Sequence, residues 1–168
     1  MFSKCELIKI PQFSGSKGSV YTILIDQQKN TAFKDFVEEN QVSFKSEIKE
    51  IVGRLRTMGF KTGMREHYFK TNEGIPGDGV CALYDKEDSN LRLYCIRYGA
   101  QLVILGGGGF KPKNIKALQE DPKLEKENYI LRTLSALITE KMKDREINLC
   151  DQGLDFEGDL IIENPYYE

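Results

Sequence analysis

VCALYDKEDSNLRLYCIRYGAQLVILGGGGFKPK, residues 80–113, holds three short apolar runs at Val80–Tyr84, Leu91–Tyr98 and Leu102–Leu105. A polar DKEDSN segment separates the first two, and Tyr-Gly-Ala separates the last two. Runs rich in β-branched and aromatic residues, bounded by turn formers, read as strands, and links this short force antiparallel pairing. The stretch therefore predicts a three-stranded meander. Alternation in its middle strand puts Leu91, Leu93 and Cys95 on one face and Arg92, Tyr94 and Ile96 on the other. A guanidinium and a phenol thus share one face of the central strand.

Working outward, CELIKI and VYTILI flank a turn-rich loop and read as a hairpin within Met1–Gln28. Asn30 or Thr31 caps a helix carrying Ala32, Phe33, Phe36 and Val37. A second helix, capped by Ser43, repeats Phe44, Ile48, Ile51, Val52, Leu55 and Met58 at the helical period and stops at Gly59. A link this short makes the two an antiparallel pair. Lys34, Asp35, Lys49, Arg54 and Arg56 lie on the outward faces, as expected of solvated helices. Beyond the meander, Asn114 caps a short helix, and Asp121-Pro122 opens a longer one with Leu124, Leu131, Leu134, Ile138 and Met142 as its stripe. MREHYFK (64–70) is a further candidate strand, and DLIIE (159–163) is either a strand or part of a loose acidic tail. The order predicts an α+β fold: an antiparallel meander sheet with an N-terminal helical hairpin and a C-terminal helix, the helices on one face. Residues 1–150 read as one domain with an added N-terminal hairpin strand, and residues 151–168 as an acidic tail.

Length and composition fit ordinary globular material: 168 residues, 40% hydrophobic and 30% charged. No apolar run approaches the roughly 20 residues of a membrane span, and the N-terminus carries no secretion pattern, so the cytoplasm is the expected location. Cys5, Cys81, Cys95 and Cys150 are widely spaced and read as buried thiols. With one histidine and no CxxC, neither a zinc site nor any other cofactor is expected. A net charge of −2 argues against a general nucleic-acid binder, yet the acid is uneven. Residues 151–168 hold six carboxylates and no cation, leaving 24 cations against 20 acids elsewhere. A tail so charged is expected to cover basic residues such as Lys111 and Lys113.

Gly106–Gly109 resemble a phosphate cradle only in composition. No GK[ST] follows, and the preceding strand belongs to a meander, so a nucleotide loop is excluded. A bent strand end, where something approaches the backbone closely, is the expectation. Lys111 and Lys113 follow the bend with Lys116 behind them, placed either to neutralise phosphate or as ordinary surface lysines. Arg92 has two readings. Beneath the helices it pairs with a carboxylate, Glu66 or Glu73; on an open concave sheet it holds a scissile phosphate while Tyr94 stacks on a base. Arg97 and Tyr98 end the strand and are expected to be exposed. Arg65, Glu66, His67, Tyr68 and Lys70 form the densest cluster of proton-transfer types. Metal-free RNA cleavage needs a base, an acid and a cation, which Glu66, His67 and Arg92 supply if the fold brings residues 65–70 beside the meander.

In order and spacing, VYTILI, the helices at 31–41 and 43–58, LRLYCIR (91–97) and LVILGGGGFKPK (102–113) resemble the toxins of bacterial type II toxin–antitoxin modules in the RelE/ParE/HigB superfamily. The likeness spans roughly residues 19–145. It implies a RelE-like fold and ribosome-dependent mRNA cleavage by an endoribonuclease, or gyrase inhibition in the ParE branch, together with a cognate antitoxin that covers the basic site. Arg92 matches the superfamily's middle-strand arginine, and Lys111 and Lys113 match its lysine pair. Catalysis is expected from Arg92, Glu66, His67 and Tyr94, and RNA binding from Lys111, Lys113, Arg97 and Lys70. The other reading is a non-catalytic protein of the same fold that grips gyrase or another partner.

Overall fold

The computed structural model of the chain describes residues 1–71, 77–111 and 121–167. Glu73, Lys113, Lys116 and the short helix expected from Asn114 lie outside the described residues.

β1 (Lys4–Lys9) and β2 (Ser19–Ile25) form the expected antiparallel hairpin. Helices α1 (Ala32–Asn40) and α2 (Lys45–Thr57) follow. Thr31 caps α1 by accepting the Lys34 N–H at 3.2 Å. Ser43 does not cap α2. Phe44 takes that position without a side-chain cap, and its ring stacks on Phe110 at 5.8 Å. Only Phe69–Lys70 of the MREHYFK segment is strand (β3), preceded by a 3-10 turn at Glu66–Tyr68. The meander is present as β4 (Val80–Leu83), β5 (Leu91–Tyr98) and β6 (Leu102–Phe110). Helix α3 (Pro122–Lys143) opens as expected, with Asp121 accepting the Leu124 N–H at 3.0 Å and Pro122 in the first turn. Strands β7 (Ile147–Leu149), β8 (Phe156–Gly158) and β9 (Ile161–Glu163) complete the chain.

Seven strands make one sheet in the order β3-β4-β5-β6-β2-β1-β9, and β7 pairs with β8 separately. Among the described strands β2 and β6 run parallel, and every other paired neighbour runs antiparallel. The chain is thus an α+β fold with a mostly antiparallel sheet and three described helices.

The helices do not share one face. Leu91, Leu93 and Cys95 pack with Phe33, Phe36, Ile51 and Leu55 of α1 and α2. Tyr94, Ile96 and Ile104 pack with Leu124, Leu131, Leu134 and Ile138 of α3 on the other side. The reason lies in β5 and β6, which are apolar on both faces, so each face needs a cover. A single helical layer would leave one of them in water.

Gly106–Gly109 are not a strand end either; β6 runs through them to Phe110. Pairing shifts between Leu93–Gly108 and Cys95–Leu105, so β6 carries an extra residue opposite Tyr94, a β-bulge. The close approach expected of these glycines is made from within the chain. A Cβ on Gly106 would lie 2.8 Å from the Leu131 side chain, and one on Gly107 would lie 2.3 Å from Glu127 Oε2. On Gly108 it would meet the backbone oxygen of Arg92 at 1.9 Å. Absent side chains let α3 settle on the strand and let β5 cross the bulge.

The acidic C-terminal stretch is built into the domain. β9 pairs with β1 at the sheet edge farthest from β3, and Phe156 and Ile162 are buried in the α3-side core. Its acids meet other lysines than those expected: Asp155 pairs with Lys9 at 2.6 Å, and Asp159 with Lys141 at 2.8 Å. Among the described residues no helix is long and apolar enough to cross a membrane.

Two glycine substitutions separate packing from propensity. Gly108→Ala drives a methyl into backbone and should cost roughly 3 kcal/mol or more. Gly53→Ala, at an exposed α2 position with nothing within 4 Å, should stabilise by about 0.5–1 kcal/mol. Denaturant unfolding of the two variants measures both signs.

Candidate functional site

The turn between β4 and β5 is pinned from α2. Glu47 Oε1 accepts the N–H groups of Asn90 at 2.8 Å and Leu91 at 3.2 Å, and Oε2 accepts the Asn90 side-chain amide at 2.7 Å. Arg54 of α2 donates to the Tyr84 carbonyl at 2.6 Å. With the turn held at both ends, Asp85 is carried inward, its side chain 6% exposed.

Three cations converge on that carboxylate. Lys70 from β3 pairs with Oδ1. Arg92 Nε of β5 donates to Oδ2 at 3.2 Å, and Lys111 Nζ, just past β6, lies 3.2 Å from the same oxygen. Lys111 also donates to the Lys86 carbonyl at 2.9 Å and to Ser89 Oγ at 3.2 Å. Each cation comes from a different strand, so the cluster exists only when the meander and β3 are assembled. Burial alone would raise the Asp85 carboxyl, but the Lys70 ammonium and then the Arg92 and Lys111 charges outweigh it and hold it below the usual carboxylate range. Among the described residues, Asp85 is the acid that all three cations share.

Lys70 is the most open of the three, at 32% against 19% for Arg92 and 13% for Lys111. Its ammonium also lies 5.7 Å from the centre of the exposed Tyr84 ring. Lysine, arginine and an accessible aromatic ring at one end of a sheet can hold a phosphate and stack on a base. A small cavity of about 70 Å³ lies on the α2 side of Tyr84 and Asp85, lined by Glu47, Glu50, Arg54 and Lys86 among others and by none of the three cations.

Of the residues expected at the site, Arg92, Lys70 and Lys111 are gathered there. Lys113 lies outside the described residues. Among the described residues, Asp85 is a carboxylate partner of Arg92 and Glu66 is not; Glu73, the other expected partner, lies outside the described residues. Register could have signalled this. Ala82 opposite Tyr94 places position 84 opposite Arg92, so Asp85 is the nearest acid across the turn. Tyr94, expected to stack on a base, is fully buried beneath α3 and is presented to nothing outside the chain. Arg97 sits at the other end of β5, where it gives two hydrogen bonds to the Met64 carbonyl at 3.0 and 2.7 Å and covers the Phe69 ring.

Glu66 and His67 are exposed on the turn that leads into β3. Pairing of β3 with β4 brings Phe69 and Lys70 beside the meander. Among the described residues, however, no hydrogen bond or ion pair joins Glu66 or His67 to Asp85 or its cations. The His67 ring instead lies 4.3 Å from that of Tyr68.

Asp85→Asn leaves three cations facing each other and should cost roughly 2–4 kcal/mol. Because the folded carboxyl is held low, its contribution is complete above about pH 4 and drains as pH falls further. Wild type should lose stability in that acid window, and Asp85→Asn should lose less over the same range, read from urea midpoints against pH. Family models, curated proteins and solved structures all give no match to this chain.

Proposed function

We propose that the Lys70–Arg92–Lys111 cluster is a phosphate-binding site for RNA, and that the chain acts as a RelE/ParE/HigB-type toxin cleaving message on the ribosome without a metal. The observation that carries this reading is the convergence of three cations on one acid, Asp85, at the open end of the meander. A backbone phosphate there would meet Arg92 and Lys70 and share Lys111 with Asp85. Stacking falls to Tyr84, not to the buried Tyr94.

Cleavage in this scheme is general acid–base chemistry. Glu66 or His67 takes the proton of a ribose 2′-hydroxyl, the 2′-oxygen attacks the adjacent phosphorus, and the 5′-oxygen leaves with a proton from the other residue. The products are a 2′,3′-cyclic phosphate and a 5′-hydroxyl. Arg92 offsets the charge that grows on the non-bridging oxygens. The fold itself would then be RelE-like, the protein cytoplasmic, and its partners the ribosome, mRNA and a cognate antitoxin.

One feature favours a second reading, a non-catalytic protein that grips gyrase or another partner. Each of the three cations already has an internal acceptor, and Glu66 and His67 are not tied to them. Expression separates the two. Cleavage predicts growth arrest with fragmented mRNA, abolished by Arg92→Ala with Lys111→Ala. Arrest with intact mRNA and altered supercoiling favours the second reading, and harmless expression removes both.

A binding assay tests the cluster apart from chemistry. Lys70→Ala should lower the slope of log affinity for single-stranded RNA against log salt by about 0.7. Asp85→Asn, with the internal competitor gone, should bind the same RNA more tightly at low salt. If neither variant changes binding, the cluster is a structural ion pair network alone.

A further inference from the structure

Cys81 of β4 stands directly opposite Cys95 of β5. Their sulfurs are 3.5 Å apart, and the Cys81 thiol also lies 3.7 Å from the Cys95 carbonyl oxygen. Both residues are buried on the α1–α2 face, at 3% and 0% exposure. Directly opposed residues of antiparallel strands hold their Cα atoms about 4.5–5.5 Å apart, within the span that a disulfide accepts. The sulfurs need to close by only about 1.5 Å to reach bonding distance. Neither remaining cysteine competes for them. Cys5 lies in the α3-side core, and Cys150 lies between β7 and β8.

Cys81 lies on β4, the strand next to the sheet edge formed by β3. Among the described residues, β3 pairs with β4 at Phe69–Leu83 and Lys70–Ala82, the latter adjacent to Cys81. An edge so short opens locally at lower free energy than the whole fold.

We propose that Cys81 and Cys95 form an oxidisable dithiol, a modification site for peroxides that closes into a cross-strand disulfide. The Cys81 thiolate attacks the O–O bond of a hydroperoxide, giving a sulfenic acid and releasing an alcohol, or water from hydrogen peroxide. The Cys95 sulfur then attacks the Cys81 sulfur, expelling its hydroxyl as water. Two thiols and one peroxide thus yield one disulfide, one alcohol and one water. The closed bond joins the two strands that carry Asp85 and Arg92 at their ends, and so fixes the frame of that cluster. The proposal is independent of the RNA reading and stands if that reading fails.

The test is peroxide treatment of the full chain carrying Cys5→Ala and Cys150→Ser. Intact mass should fall by about 2 Da, with both thiols lost to titration in denaturant. Peptide mapping without reductant should link β4 to β5. The melting temperature should rise by about 5–10 °C for a loop of this length and return on reduction. Adding Cys81→Ser must abolish the mass loss. Thiols that stay unreacted, that end as sulfinic or sulfonic acids, or that join two chains overturn the proposal. Where the cysteine variant does not fold, mapping of the peroxide-treated wild type decides: a Cys81–Cys95 link supports the site, and any other pairing or none overturns it.

Discussion

A strand with four consecutive glycines lies at the centre of this protein. β6 is the fourth of seven strands, and its second half is four consecutive glycines. What packs against its glycine half depends on the missing Cβ atoms. α3 lies over Gly106 and Gly107 through Leu131 and Glu127, Lys123 passes over Gly109, and β5 crosses at Gly108. A side chain at Gly106 would press on Leu131 of α3, and one at Gly108 would press β5 away from β6. Gly108 is the strictest position, because the obstacle is backbone and cannot rotate away.

That arrangement also sets where Arg92 stands. Arg92 pairs with Gly109 just before the bulge, so its cross-strand neighbour on β6 carries no side chain. Asp85 approaches from the β4–β5 turn, Lys70 from the sheet edge and Lys111 from the end of β6. A buried ion cluster is weak evidence for stability, because desolvation cancels much of the attraction. What Asp85 does supply is position. Three flexible or forked cations are gathered within reach of one anion, at one end of the sheet.

Much of the frame was legible in the sequence, because strands and turns announce themselves locally. The meander follows from DKEDSN and Tyr-Gly-Ala, the β1–β2 hairpin from two apolar runs, and the start of α3 from Asp121-Pro122. Layering was not legible, since whether α3 joins α1 and α2 or takes the opposite face depends on how the chain crosses from β2 to β6. The two-sided apolar pattern of β5 carried that information, with Leu91 and Leu93 facing one way and Tyr94 and Ile96 the other. Arg92 was legible as an oddity, but its partner was not, because Asp85 lay inside a segment that read simply as a polar turn. The glycines were legible as a place of close approach and misleading about what approaches.

The closeness of α3 has an electrostatic cost that runs against the benefit at Asp85. Glu127 lies over Gly107, and burial pushes its carboxyl above the usual range, only partly countered by Lys123 and Lys126 and worsened by Glu39 and Asp35. Lys123 lies 3.8 Å from Glu127 and 3.5 Å from Glu39 of α1, so one ammonium serves a carboxylate on each helix. The two buried acids have opposite linkage to pH. Asp85 binds its proton more weakly in the folded chain, so acid removes stability there; Glu127 binds its proton more strongly, so ionisation at higher pH removes it. Falling pH therefore strengthens the helix–glycine contact, by protonating Glu127, before it dissolves the cation cluster. The two ends of the glycine strand answer to acid in opposite senses, although a single run of four residues makes both possible.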